Sequence, residues 1–238
     1  MDKALLKKMS ALSKYLGLKF NVKWCNYIFI SKSMNVLLQY TNMCPDNELN
    51  KYGQDINTRL EKINKFLASV TFTKHSKRYG GQVYFKKNYK NDLRFLKNIE
   101  NFLIKKEFSR LLKKIKQISK KSDRIILLTK TDNKYELKMI KQDILEHELI
   151  HVVLIKNNIY FQNKDSKYWK YDEGLVTYCD YLLNKKLWLL ENIIKKHKKN
   201  SMEIDYFIYA VKFKELLKEC KTPKDRRKEL NILFNSLK

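Results

Sequence analysis

Residues 144–154 read ILEHELIHVVL. Drawn as a helix at 100° per residue, Ile144, Leu145, Leu149, Ile150, Val152, Val153 and Leu154 cover almost every side. A helix that is apolar all round belongs in the interior of a protein. Whatever this chain folds into must therefore enclose this helix, and with it His147, Glu148 and His151. Burying two imidazoles obliges the surroundings to supply partners for their ring nitrogens, and a metal ion is one such partner.

The rest of the chain sets what can do the enclosing. Only 5 glycines and 2 prolines occur in 238 residues, which disfavours a loop-rich or all-β fold, and an apolar content of 44% is enough for a core. Residues 3–16 have a helical pattern. Residues 19–33, rich in aromatic and β-branched types, suit one or two strands. A short helix is expected around 34–42 and a longer one over 47–68. SVTFTKHSKRYGGQVYFKK reads as a β-hairpin closing on Gly80–Gly81, with His75 at its surface tip. Residues 90–119 carry the longest helical pattern. RIILLTKTDNKYELKMI reads as two strands around TDN, the histidine helix follows at 142–156 and ends at Asn157–Asn158, and another helix begins near Tyr171. Helices at about 203–219 and 223–237 complete the chain, the last with Thr222 as N-cap and Pro223 in its first position. The expected class is α+β with helix dominant.

Charge and cysteines narrow the function. The formal net charge is +26, and lysine supplies 44 of the 51 basic residues. Abundant asparagine, isoleucine and tyrosine beside it match the usage of an AT-rich genome. Such a field attracts polyanions at low salt, so nucleic acid is a candidate partner through the basic surface. Only seven arginines, the better readers of phosphates and base edges, are present. Cys25, Cys44, Cys179 and Cys220 form no C-x-x-C pair, which argues against a zinc ribbon and for reduced thiols. No apolar run reaches a membrane-spanning length, and the N-terminus lacks a signal-peptide core, so a cytoplasmic location is expected.

From the chain's own histidine and glutamate frequencies, H-E-x-x-H should arise by accident in about four of a thousand such sequences, so context has to decide. His147 and His151 stand one turn apart and project from one face, a spacing at which two imidazoles can hold one tetrahedral zinc. Glu148, turned about 100° away, is placed beside an ion rather than on it. Downstream, in YWKYDEGLVTYCDYLL, Glu173 follows His151 by 22 residues and offers a carboxylate as third ligand, leaving a fourth position for water. Gly174 next to it allows a close backbone approach. Thr177 and Asp180, on the same helix face, are candidates to orient a ligating histidine. The ordinary alternative for Glu173 is a helix-start carboxylate favoured by the dipole.

HELIH followed by a tryptophan and then DEGLVTY resembles the gluzincin metallopeptidases, a clan that includes thermolysin-like and aminopeptidase-N-like enzymes. The short separation is similar to that of the small single-domain minigluzincins. The resemblance covers roughly residues 124–185. It implies a zincin-like catalytic domain with a small sheet, an active-site helix and a following glutamate helix. It further implies Zn2+ held by His147, His151 and Glu173, with Glu148 as general base. On this basis residues 91–238 are expected to form the metallopeptidase domain, and residues 1–90 an N-terminal helical and mixed region of unassigned role. The expected activity is zinc-dependent hydrolysis of peptide bonds in a peptide or protein, in a form that another part of the chain can self-inhibit. A strand at 124–129 or 134–140 would hold the substrate.

The pattern also departs from the clan. The glycine-rich exopeptidase motif of the aminopeptidase branch is absent. The residue that stabilises an oxyanion has no motif, and Tyr178, Tyr206, Tyr209 and His197 are candidates. SprT-like DNA-linked proteases share the histidine helix and basic character but use a third histidine and often a cysteine zinc ribbon, neither of which stands here. The alternative class is a basic nucleic-acid-binding protein whose zinc site is structural or vestigial.

Overall fold

The structure is a computed structural model and describes residues 2–32, 34, 35, 37, 38, 81–97, 99, 102–122, 124–160, 166–196 and 202–236. In chain order the elements are α1 (Lys3–Leu16), β1 (Tyr27–Ile30), β2 (Gly81–Phe85), α2 (Tyr89–Lys97), α3 (Phe102–Ile118), β3 (Arg124–Thr129) and α4 (Lys134–Met139). A π-helical turn (Ile140–Ile144) then leads into α5 (Leu145–Lys156), followed by α6 (Ser166–Leu183), α7 (Leu189–Lys196), α8 (Met202–Lys218) and α9 (Pro223–Ser236). Helix dominates, and the described strands form one small mixed sheet, so the class is α+β. The expected helix at 47–68, the first arm of the hairpin with His75, Cys44 and His197 lie outside the described residues.

The chain divides into two compact units, Lys23–Glu148 and Met1–Val22 with Leu149–Lys238. The division falls inside α5, which runs through it unbroken. A boundary at residue 90 does not describe this arrangement. β1 and β2 precede residue 90, yet both pair with β3, and α1 belongs with the C-terminal helices. Sheet pairing and helix docking join segments far apart in sequence, which hydrophobic periodicity does not report.

In the unit Lys23–Glu148 the strand order is β1-β3-β2. β3 is parallel to β1, with Tyr27 opposite Ile126 and Ile30 opposite Thr129. It is antiparallel to β2, with Gly81 opposite Leu128 and Phe85 opposite Arg124. Ile125 to Leu128 are all buried, as a strand covered on both faces requires. Alternation sends Ile125 and Leu127 to one face, where they join Phe95 and the α3 side chains Phe108, Leu111, Leu112 and Ile115 in one core. Fully burying each of these side chains stabilises the fold by about 1.5–3 kcal/mol. The single helix expected over 90–119 is two helices, α2 and α3.

TDN turns out to be a helix start and not a hairpin turn. The Asn133 side chain accepts hydrogen bonds from the backbone N–H groups of Tyr135 (2.9 Å) and Glu136 (3.2 Å), two of the donors a helix start leaves unsatisfied. The Thr131 hydroxyl donates to Glu136 at 2.6 Å. Residues 134–139 are therefore helical, correcting the expected strand at 134–140, and the histidine helix begins well before residue 142.

In the other unit α6 lies against α8. The edge-to-face pairs Trp169–Tyr206, Tyr171–Tyr209 and Tyr181–Phe207, with centroids 4.8, 4.6 and 5.9 Å apart, run along this contact. At Gly174 the helices come so close that a Cβ would stand 2.3 Å from Tyr209 Cβ. α6 begins at Ser166, before the expected Tyr171, and stops at Leu183. There the Asn184 side chain donates to the Asp180 carbonyl at 2.9 Å, and Lys185 takes a φ of 56°.

Two arginines of α9 gather the C-terminal ends of three helices. Arg226 donates to the carbonyls of Tyr15 (3.3 Å) and Cys220 (2.9 Å), just at or beyond the ends of α1 and α8. Arg227 donates to the carbonyl of Asn157 (2.6 Å), just past the end of α5. Cations there complement the negative ends of the helix dipoles. Asn157 also ties α5 to the segment after α1: its side chain accepts from the Lys19 N–H (2.9 Å) and donates to the Lys19 carbonyl (2.8 Å). α5 stops where expected, with Asn158 at a φ of 60°.

Candidate metal centre

α5 carries His147, Glu148 and His151, and α6 carries Glu173. One ligand atom from each of His147, His151 and Glu173 lies within 4.8 Å of the others. His151 Nε2 stands 3.4 Å from Glu173 Oε1. Donors bound to a tetrahedral zinc at about 2.0–2.1 Å are roughly 3.3 Å from one another, so this pair already has a coordination spacing. Two imidazole nitrogens and a carboxylate oxygen form a donor set suited to zinc and also to other first-row divalent ions. The group could hold a metal ion. Cys25, Cys179 and Cys220 take no part as a cluster and are free thiols; Cys25 is pushed up to about 11 by burial.

The surroundings of Glu173 differ from the sequence expectation in a way that matters. It is the eighth residue of α6 and not in the first turn. The helix-start dipole, which falls off within one turn, does not account for a carboxylate there. Its neighbour Gly174 seats α8, so the position of Glu173 is tied to how closely those helices pack.

Glu148 is buried and stands outside the ligand group. Its side chain faces Gly81 at the start of β2: a Cβ on Gly81 would lie 2.9 Å from Glu148 Cγ and 3.2 Å from its Oε1. The π turn precedes this helix directly, and such turns recur at functional sites because one extra residue per turn re-aims the side chains that follow.

The supporting candidates fall out as follows. Thr177 and Asp180 are both buried. Asp180 accepts from the Asn184 side chain at 2.9 Å, and Asn184 accepts from Lys8 at 2.9 Å. Seven residues separate Asp180 from Glu173, about 10 Å along the axis. The Tyr178 hydroxyl is hydrogen-bonded to that of Tyr15 at 3.0 Å; burial first, and then this bond, raise its pKa. Tyr206 and Tyr209 are engaged in the α6–α8 contact, and Lys212 lies 4.4 Å over the Tyr209 ring. Sequence reasoning missed two residues beside the site. Tyr160 meets His151 edge to face at 6.4 Å, from a segment with no periodicity to mark it. Gly81 read only as a hairpin glycine.

Comparison with protein-family models, with curated proteins and with solved structures finds no match to this chain.

Proposed function

We propose that the chain is a zinc-dependent peptidase of gluzincin type, acting on a peptide or protein. The observation that carries this reading is the arrival of Glu173, from a separate helix, 3.4 Å from His151. His147 and His151 supply imidazole nitrogens one turn apart, and Glu173 supplies the anionic oxygen. Zinc bound there contributes Lewis acidity toward a carbonyl and an attacking water. Glu148 is the residue for the proton: its carboxylate takes one from the attacking water and delivers it to the departing nitrogen. Its burial limits solvent competition for that proton.

The substrate strand needs reassignment. β3 is paired on both edges, and residues 134–139 are helical, so neither can hold an extended peptide. Among the described residues β2 is an edge strand, and it begins against Glu148. β2 is therefore the described strand that reaches the proposed general base.

The test begins with metal content. Purified protein should hold about one zinc per chain, as a single three-ligand site implies, and His151→Ala should hold none. Wild-type protein should cleave an unstructured protein such as casein, and chelation should stop it. Protein that neither carries nor takes up zinc would remove the reading.

A further inference from the structure

We infer that Gly81 is a positioning residue for Glu148: the missing side chain at the start of β2 is what leaves the general base its place. The inference rests on the peptidase reading above. Glycine is not needed here for backbone conformation, since Gly17 is the glycine among the described residues with a positive φ. The reason is space. A Cβ at position 81 would lie 2.7 Å from Ile144 Cγ2 and 2.9 Å from Glu148 Cγ, whereas carbon atoms rest at about 3.5–4.0 Å. Ile144 and Glu148 are one helical turn apart, so Gly81 sits in the notch between them.

What would yield if the notch were filled decides the consequence. β2 is held: Gly81 is paired with Leu128 of the central strand. Gln82 donates to the Asn35 carbonyl at 3.0 Å. The Tyr84 hydroxyl donates to the buried carboxylate of Asp92. Ile144 is buried in the interior at 4% exposure. The remaining partner is the Glu148 side chain, whose carboxylate end is the flexible part. A methyl group at position 81 therefore displaces the carboxylate by a sizeable fraction of an ångström. Misplacing a reacting group by about 1 Å lowers the rate by about 100-fold.

The experiment uses the full-length zinc-loaded protein and a fluorogenic peptide that wild type cleaves. Gly81→Ala should lower kcat about 10- to 100-fold, with KM changed less than about twofold and zinc content unchanged. Glu148→Asp, which withdraws the carboxylate by one methylene, should lower kcat in wild type but little further in Gly81→Ala, because both changes act on one group. Additive losses would mean that Gly81 acts through the fold and would overturn the inference, as would a Gly81→Ala enzyme with full kcat. Should Gly81→Ala fail to fold, Gly81→Ala/Ile144→Ala relieves the contact with Ile144 and keeps the one with Glu148 Cγ. Its kcat should lie about 10-fold or more below that of Ile144→Ala with zinc content unchanged, and a kcat equal to that of Ile144→Ala in this folded variant would overturn the inference. Zinc-loaded wild type that cleaves nothing removes the peptidase reading and the role of Gly81 with it. Cleavage by wild type together with either overturning result removes the Gly81 inference alone.

Discussion

Gly174→Ala sets two effects of opposite sign against each other, and the structure says which should win. In a helix interior alanine is favoured over glycine by about 1 kcal/mol. Against that, the new Cβ would stand 2.3 Å from Tyr209 Cβ and 3.2–3.3 Å from the backbone of the same residue. Restoring an ordinary carbon contact requires α6 and α8 to separate by roughly 1.3 Å. The neighbouring backbone cannot swing aside as a long side chain could, and the separation also loosens the three aromatic pairs along the contact. Overpacking of this kind costs about 1–3 kcal/mol, and this case belongs at the upper end. The net expectation is a destabilisation of about 2 kcal/mol after the propensity gain of about 1 kcal/mol is deducted. Urea unfolding of the metal-free protein measures it. The same displacement carries Glu173 away from the 3.4 Å spacing to His151, so zinc affinity, read by competition with a chromophoric chelator, should fall about 10- to 100-fold. A Gly174→Ala protein as stable as wild type would show that propensity wins and refute the steric argument. Lost stability with unchanged zinc affinity would show that Gly174 packs the helices without locating Glu173.

Other consequences can be checked independently. Glu148→Gln should retain zinc and lose peptide hydrolysis by orders of magnitude, whereas Glu173→Gln should weaken the metal itself; zinc analysis and a peptide assay on both variants separate the roles. Arg227→Ala removes a charged hydrogen bond to the Asn157 carbonyl and should cost about 1.5–3 kcal/mol in an unfolding titration. The Thr222 hydroxyl and then its backbone N–H lower the pKa of Asp225. Its contribution to stability is therefore present above the usual aspartate pKa of about 4 and is lost as pH falls below it, so Asp225→Asn should flatten the acid side of the stability profile. If the +26 charge serves nucleic acid, affinity for duplex DNA should fall log-linearly with salt; binding already lost near physiological salt would leave the lysines as a solvated surface.

The parts of the fold that were legible are those whose determinants are local. The seven apolar residues of 144–154 are all buried, because a helix without a polar face has only one place to go. The last helix was readable from Thr222 and Pro223, and Asp225 completes the cap by accepting from the Thr222 N–H at 3.0 Å. Residues 134–140 were misread because Tyr135, Leu137 and Met139 alternate like a strand. The deciding group was one side chain, Asn133, whose oxygen satisfies two backbone donors and so favours helix. The sheet order was not legible at all, since β1, β2 and β3 come from distant segments and nothing within any one of them names its partner.

The site divides along the same line. His147 and His151 were readable because one turn of one helix fixes their relation. Glu173 was found from its residue type and its distance along the chain, but its place in the third turn of α6, which removes the ordinary explanation for it, was visible only once the helix start was known. The glycines were the least legible. Their scarcity, 5 in 238 residues, was informative about loops and silent about what the few remaining ones do. Each of the three described glycines sits where another element approaches too closely for a side chain: Gly17 against Pro223, Gly81 against Ile144 and Glu148, and Gly174 against Tyr209. Two of those three contacts set the distance to a residue of the candidate site. Two of the three described glycines thus stand beside Glu148 and Glu173, the proposed general base and candidate third ligand, and that follows from distances between elements rather than from any pattern within one.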